Sequence, residues 1–228
     1  MMTDQAAIGR RTAQILLDTG CILLRPDRPF VFSSGWASPV YLDIPRALSF
    51  PLARAALLRG AETRILSEVG FDGFDCVAAT EQGGIAIAAM LAERFHLPFV
   101  TVRRRAQGFG NDAHIEGALR PGARALLVSD VTTDGRSKAG YCRALRRAGA
   151  EVTQIFVLFK YGIFDRVVTD IADVGARLFA LATWEDVLPE AESRAALPAD
   201  AVAELRRYLA DPVAWSAARG GLAAPPAA

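Results

Sequence analysis

The chain has 228 residues, 52% of them hydrophobic and 22% charged. That is enough apolar material for one large α/β domain or two small ones, and too much for a disordered chain. Twenty-six Lys and Arg stand against 25 Asp and Glu, a net charge of +1; a general nucleic-acid surface is far more basic, so any anion site here is a local concentration of positive groups.

Thr3 or Asp4 caps a first helix, with Ile8, Ile15 and Leu16 on one face and Gly20 as its stop. Cys21 to Leu24, Phe30 to Phe32 and Val40 to Asp43 read as short strands punctuated by Pro26, Pro29, Gly35 and Pro39. Pro51 opens a long helix that ends at Gly70. The pattern then alternates: strands at 76–79, 99–103, 125–128, 154–159 and 177–182, and helices at 84–94, 137–147 and 165–174. A long polar segment, 104–122, interrupts it. Near-continuous apolar strands alternating with helices imply a parallel sheet covered on both faces. Pro198 to Leu209 forms a C-terminal helix, and Gly220 to Ala228 is a Gly/Ala/Pro-rich tail expected to fray. The expected organisation is a single domain over 1–219, with hood elements at about 20–45, and a flexible tail over 220–228.

Cys21, Cys76 and Cys142 are odd in number and far apart, with no Cys-x-x-Cys pair. This argues against a disulfide framework or a zinc site and for a reducing cytosol. His96 and His114 do not complete a metal cluster with them by local spacing. The opening Met1-Met2-Thr3-Asp4 lacks the basic flank and apolar core of a signal peptide. The longest apolar run, Gly83 to Ala92, is too short to span a bilayer. A cytoplasmic protein without membrane or nucleic-acid partners is expected.

Four segments carry candidate chemistry. In Ala125-Leu-Leu-Val-Ser-Asp130-Val-Thr-Thr-Asp134-Gly-Arg-Ser-Lys138 an apolar strand runs into a Thr/Asp/Gly loop that opens a helix. Small residues let backbone N–H groups converge on an anion, the helix dipole adds to them, and Thr132, Thr133 and Ser137 supply hydroxyls. Asp130, at the carboxyl end of the strand, stands where ligands bind in such sheets and can accept hydrogen bonds from ribose hydroxyls. The same segment also reads as a plain capped turn, and its spacing is not that of a Walker A loop. In Val102 to Gly117, Arg103, Arg104 and Arg105 feed a Gly-punctuated loop too long for a simple connector. Arginine forks match phosphate oxygens and such a loop can close over a reacting centre, or the stretch is a solvated basic patch. Thr80-Glu81-Gln82-Gly83-Gly84 either lets a phosphate approach the backbone or makes a tight strand-to-helix turn. Phe30 to Asp43 offers aromatics for a planar ring, or forms a small hydrophobic subdomain.

Taken in order, these segments resemble orotate phosphoribosyltransferase, a type I phosphoribosyltransferase, in the variety found in α-proteobacteria. The likeness runs from about residue 10 to residue 215. It includes Ser34-Gly-Trp-Ala-Ser-Pro39, Arg103 with Gly108-Phe-Gly110 and Ile115-Glu-Gly117, Asp130-Val-Thr-Thr-Asp-Gly-Arg-Ser-Lys138, Tyr161-Gly-Ile-Phe164 and Ala180 to Leu188. The resemblance implies the type I phosphoribosyltransferase fold, a mainly parallel sheet flanked by helices with a small N-terminal hood. It implies transfer of phosphoribosyl from phosphoribosyl pyrophosphate to orotate with Mg²⁺, giving orotidine 5′-monophosphate and pyrophosphate in pyrimidine synthesis. Transferred residue by residue, Thr132, Thr133, Asp134, Gly135, Arg136 and Ser137 hold the 5′-phosphate, and Asp130 contacts the ribose. Arg103, Arg104 and Gln107 face the pyrophosphate, with Arg104 and Asp130 at the reacting centre. Ser33, Ser34, Gly35, Tyr41 and Thr133 lie at the base. The family is a homodimer whose long loop crosses to the neighbouring subunit.

The likeness departs from the family pattern at the chemistry. The family's strand ends in two acidic residues, and the first is Ser129 here. Its loop reads Arg-Lys-x-x-Lys, against Arg103-Arg104-x-x-Gln107; Arg104 keeps the charge but not the shape of lysine, and Gln107 loses a charge. Arg136 replaces a small residue, and Pro45-Arg46 stands for Arg-Lys. Three readings stay open: a working enzyme in which Arg104 and Arg105 compensate, a catalytically weakened paralogue that binds a phosphoribosyl or nucleotide ligand as a regulator or sensor, and a phosphoribosyltransferase for another base.

Overall fold

The computed structural model describes residues 2–32, 34–103, 114–133, 135–164 and 171–224. In chain order its elements are α1 (Met2–Asp18), β1 (Ile22–Leu24), β2 (Phe30–Val31), β3 (Ala37–Ser38), β4 (Val40–Leu42), α2 (Ile44–Ser49), α3 (Pro51–Val69), β5 (Cys76–Thr80), α4 (Ile85–Phe95), β6 (Phe99–Val102), β7 (Ile115–Glu116), β8 (Arg124–Thr132), α5 (Arg136–Arg147), β9 (Glu151–Lys160), β10 (Arg177–Thr183), α6 (Trp184–Ser193), α7 (Ala199–Ala210) and α8 (Pro212–Ala217). They group into two compact units: Ala55–Thr183, and Met2–Arg54 together with the chain from Trp184 onward.

The first unit is built on a six-stranded sheet of order β10-β9-β8-β5-β6-β7, parallel except for β7. The α/β class with a mainly parallel sheet is as the alternation of apolar strands and helices predicts. Every residue of β5 is buried, as is the centre of β8 and β9. These strands lie in the middle of the sheet and are covered on both faces, which is why they read as continuous apolar runs. At the edge, β10 is less continuously buried: Phe179, Leu181 and Ala182 are buried, and Arg177 is exposed. The chain leaves β5 towards β6 through α4, and leaves β8 towards β9 through α5. Right-handed crossovers in opposite directions put α4 and α5 on opposite faces. One core accordingly gathers Ala78, Val100, Leu127, Ile155 and Val157 with Ala139, Tyr141, Cys142 and Leu145 of α5. The seam between β5 and β8 is the point where the strand order reverses, and ligands bind outside the carboxyl ends of the strands there. At the opposite ends of the same two strands, Arg124 clasps Asp75 with its backbone N–H, Nε and Nη2 at 2.9, 2.9 and 2.7 Å.

In the second unit α1 packs on α6 so closely that a Cβ on Gly9 would overlap the Asp186 carboxylate. Two short antiparallel pairs, β1 with β4 and β2 with β3, make up the segment expected as a hood. Three short helices are not legible in the sequence. In α2 the Asp43 side chain accepts from Arg46 N at 3.1 Å, and in α8 Asp211 accepts from Ala214 N at 2.9 Å. Their Pro45 and Pro212 sit in the first turn, where a missing N–H costs nothing, rather than marking a break. α6 keeps Pro189 inside it and buries Trp184, Val187, Leu188 and Ala191. In the first unit β8 and β9 are longer than their apolar stretches, because pairing continues through Ser129 with Val157 and Thr132 with Lys160. The expected helix at 165–174 falls mostly on 165–170, outside the described residues. No helix among the described residues is long and apolar enough to cross a membrane.

Candidate active site

The carboxyl ends of β5, β6 and β8 meet in the first unit. β8 delivers Ser129 and Asp130 there. Ser129 is 1% exposed, so its side chain is not offered to solvent. Thr80 Oγ1 donates to Ser129 Oγ at 2.8 Å, and Ser129 Oγ donates to Asp130 Oδ1 at 3.2 Å. The half-buried Asp130 carboxylate is thus oriented by a chain of hydroxyls that starts on the neighbouring strand. Beside Asp130 this protein has a hydroxyl relay from Thr80 through Ser129.

The turn after β5 is pressed against the same group. A Cβ on Gly83 would overlap Asp130 Oδ2, and one on Gly84 would lie 2.5 Å from Val128 O and 2.7 Å from Thr80 Oγ1. The two glycines are therefore accounted for by the approach of this turn to β8. Tyr141 Oη, from α5, donates to Glu81 O at 2.9 Å, and Glu81 N donates to Val102 O at 3.1 Å. Three elements thereby hold the turn. Tyr141 is a contributor that the sequence reading missed; its signal is a hydroxyl on the buried face of a helix.

The loop from β8 to α5 follows. Thr132 is 2% exposed, and its Oγ1 is buried with no hydrogen-bond partner among the described residues. Thr133 is half-buried and Ser137 exposed. Gly135 is the N-cap of α5 at φ +74°, a left-handed conformation that favours glycine, and it brings no side chain of its own to the helix donors. Arg136 is the first helical residue. Lys138, 8% exposed, turns back so that Nζ donates to Val131 O at 2.6 Å. This ammonium beneath the loop is a second contributor that the sequence reading passed over, although a lysine in the first turn after a Gly-containing loop marks it. Asp134 lies outside the described residues.

Arg103 follows β6. Its backbone N–H donates to His114 O at 2.7 Å, His114 Nδ1 lies 3.1 Å from Arg103 O, and its guanidinium pairs with Glu116 of β7. The hydrogen bond to Glu116 holds the Arg103 guanidinium above its already high range. Arg104, Arg105 and Gln107 lie outside the described residues.

In the second unit Ser34 is exposed, Gly35 has φ +84° and Tyr41 is 42% exposed. The Tyr41 ring lies 5.6 Å from that of Phe30 and 6.4 Å from that of Phe32, and the Arg25 guanidinium sits 4.6 Å over Phe30. Ser33 lies outside the described residues.

No protein-family model matches the chain. It is 40% identical over 215 residues to orotate phosphoribosyltransferase of Dinoroseobacter shibae, covering 94% of this chain and 95% of that protein. The chain belongs to the orotate phosphoribosyltransferase family. Another orotate phosphoribosyltransferase, from Sinorhizobium medicae, is 40% identical over 222 residues, with 97% of this chain and 96% of that protein covered. Among solved structures, orotate phosphoribosyltransferase from Aeropyrum pernix superposes with a TM-score of 0.67 at 30% identity, over 79% of this chain and 99% of that one. The UMP synthase of Leishmania donovani gives a TM-score of 0.74 at 24% identity over 89% of this chain and 42% of that one, a likeness of fold. The sheet, its flanking helices and these likenesses give the protein the type I phosphoribosyltransferase fold.

Proposed function

We propose that the protein is an orotate phosphoribosyltransferase of pyrimidine biosynthesis, joining orotate to phosphoribosyl pyrophosphate to give orotidine 5′-monophosphate and pyrophosphate. The observation that carries this reading is the 40% identity extending over 94% of the chain. The arrangement at the strand ends supports it. In the reaction the C1–O bond to pyrophosphate breaks and its electron pair leaves with pyrophosphate. N1 of orotate bonds to C1, and its proton passes to the departing pyrophosphate.

Asp130 accepts hydrogen bonds from the ribose hydroxyls, held in place by Ser129 and by the turn at Gly83. Thr132, Thr133, Asp134, Gly135, Arg136 and Ser137 hold the 5′-phosphate through hydroxyls, helix amides and the Arg136 charge. Lys138 braces this loop through Val131. Arg103, Arg104 and Gln107 face the pyrophosphate, and the Arg104 charge opposes the negative charge that develops there. Ser33, Ser34, Gly35 and Tyr41 recognise the base.

Mg²⁺ belongs to the same proposal. Among the described residues no group of three or more His, Cys, Asp or Glu is placed to hold a metal. Asp130 and Glu81 are carboxylates of these strand ends. That donor set fits Mg²⁺ arriving on substrate phosphates, which requires one or two protein carboxylates and not a cage. When bound, the ion neutralises charge on the pyrophosphate. A cytoplasmic homodimer with shared sites completes the reading.

The test is purified protein with orotate, phosphoribosyl pyrophosphate and Mg²⁺, followed by orotate absorbance. Loss of absorbance that depends on phosphoribosyl pyrophosphate is expected. No turnover, with phosphoribosyl pyrophosphate binding still seen by calorimetry, would overturn the enzyme reading in favour of a sensor.

A further inference from the structure

The 34–38 turn of the second unit is closed by its own bonds, Gly35 N to Phe32 O at 2.8 Å and Phe32 N to Trp36 O at 2.9 Å. It is also gripped from the far end of the sequence. Leu222 N donates to Gly35 O at 3.0 Å, and a Cβ on Gly35 would lie 3.3 Å from Leu222 Cγ. Ser216 Oγ accepts from Ala37 N at 3.1 Å, and a Cβ on Gly221 would lie 2.6 Å from Ala37 N. Both peptide edges of the turn are therefore in contact with residues 216–222.

The side chain of Trp36 enters the same assembly. It is 3% exposed and donates from Nε1 to Tyr208 Oη at 3.1 Å. The Tyr208 ring meets Trp215 edge-on, with centroids 5.3 Å apart. Trp215 donates from Nε1 to Glu204 Oε1 at 2.6 Å. Glu204 is 4% exposed; Arg207 and Arg219 pair with its carboxylate, and the Arg219 guanidinium lies 4.1 Å over the Trp215 ring. A buried ion pair adds little stability over apolar packing of the same volume. What this one supplies is direction: the carboxylate orients the Trp215 indole, the indole orients Tyr208, and the phenol fixes Trp36.

We propose that the chain from Glu204 to Leu222 is a clamp that sets the geometry of the 34–38 turn for recognition of the planar carboxylated base, with Tyr208, Trp215, Glu204 and Leu222 as positioning residues. This rests on the assignment of that turn to the base under Proposed function. The phosphoribosyl and pyrophosphate contacts assigned above lie in the sheet unit, on residues outside the clamp, so loss of the clamp separates the two substrates kinetically.

The test uses the full-length protein with two variants at the contacts between the clamp and the turn. Tyr208→Phe keeps the ring and deletes the hydroxyl that accepts from Trp36 and is also hydrogen-bonded to Ser38; Leu222→Pro deletes the N–H that reaches Gly35 together with the side chain packed on it. Each is expected to raise KM for orotate about tenfold, with KM for phosphoribosyl pyrophosphate within about twofold of the parent. The double variant is expected to change orotate KM by less than the product of the two, because both act on one turn. A packing role alone would lower Tm and leave the ratio of the two KM values unmoved, and that result overturns the clamp. A parent protein that turns over no orotate overturns the functional reading and the clamp together; an active parent whose variants keep the orotate KM overturns the clamp alone.

Discussion

Thr80 and Ser129 share a 2.8 Å hydrogen bond between hydroxyls across the β5–β8 seam, and Ser129 passes it on to Asp130. Ser129→Ala leaves Thr80 without its acceptor and Asp130 without its donor. kcat/KM for phosphoribosyl pyrophosphate is expected to fall about tenfold, equivalent to about 1.4 kcal/mol. Thr80→Val should act through the same chain. The double variant is therefore expected to be less than additive in steady-state kinetics. Full additivity would show that the two hydroxyls act separately.

Gly83 gives a steric test of the same carboxylate. In Gly83→Ala the new methyl occupies the space of Asp130 Oδ2, and the flexible carboxylate, rather than backbone, must yield. Displacing the reacting geometry by about 1 Å costs about 100-fold in rate. kcat/KM should fall by that order while the circular-dichroism spectrum is retained. A parental rate would mean that chemistry does not depend on where Asp130 points.

Lys138→Met keeps the length of the stem and removes the ammonium that donates to Val131 O. A buried carbonyl left unpaired costs about 1–3 kcal/mol. Tm should fall accordingly, and KM for phosphoribosyl pyrophosphate should rise, with a weaker salt dependence than in the parent. Unchanged affinity would confine Lys138 to a structural part.

The Asp75–Arg124 clasp sets an acid limit on stability at the other end of the sheet. Hydrogen bonds from the Arg124 side chain and backbone hold the Asp75 carboxyl well below the usual carboxylate range. A depressed carboxyl stabilises above its unfolded pKa of about 4, and the gain is lost as pH falls from there through the folded value. Asp75→Asn is therefore expected to lower Tm at pH 7. The gap to the parent should shrink progressively below about pH 4. A gap that is independent of pH would assign the effect to packing.

Chelation separates a metal carried on substrate from a resident one. EDTA should abolish turnover and Mg²⁺ restore it, as for an ion held mainly by substrate phosphates. In calorimetry, Mg²⁺ heats are expected only with phosphoribosyl pyrophosphate present. Binding to the protein alone would reveal ligands beyond Asp130 and Glu81.

Much of the sheet unit is legible in the amino-acid order alone. The switch from helical to strand periodicity marks a parallel sheet, and the run from Ala125 to Lys138 marks the loop at its carboxyl edge. Those features are local: side-chain period, a glycine where φ must be positive, and a proline at a helix start each act within a few residues. The departure at Ser129 is also visible, as a missing carboxylate. Its meaning is not, because the direction of that side chain and its partner Thr80 depend on β5 pairing with β8, 49 residues away.

The glycines show the same division. Gly83 and Gly84 read equally well as a phosphate approach or a tight turn, and the nearness of Asp130 and Val128 decides it. The tail beginning at Gly220 has a composition that argues for fraying, yet Gly221 N bonds to Ser216 O at 2.9 Å and Leu222 N to Gly35 O. Composition reports what a segment can bury by itself, not what a distant turn offers it. By itself, the sequence of this protein determines the class of sheet, the loop at its edge and the family it resembles, because those are written in local spacing and in motif order. Only the tertiary structure decides how Asp130 is held and what grips the 34–38 turn. Both depend on hydrogen bonds between residues far apart in the chain, which exist only once the strands and the C-terminal helices have packed.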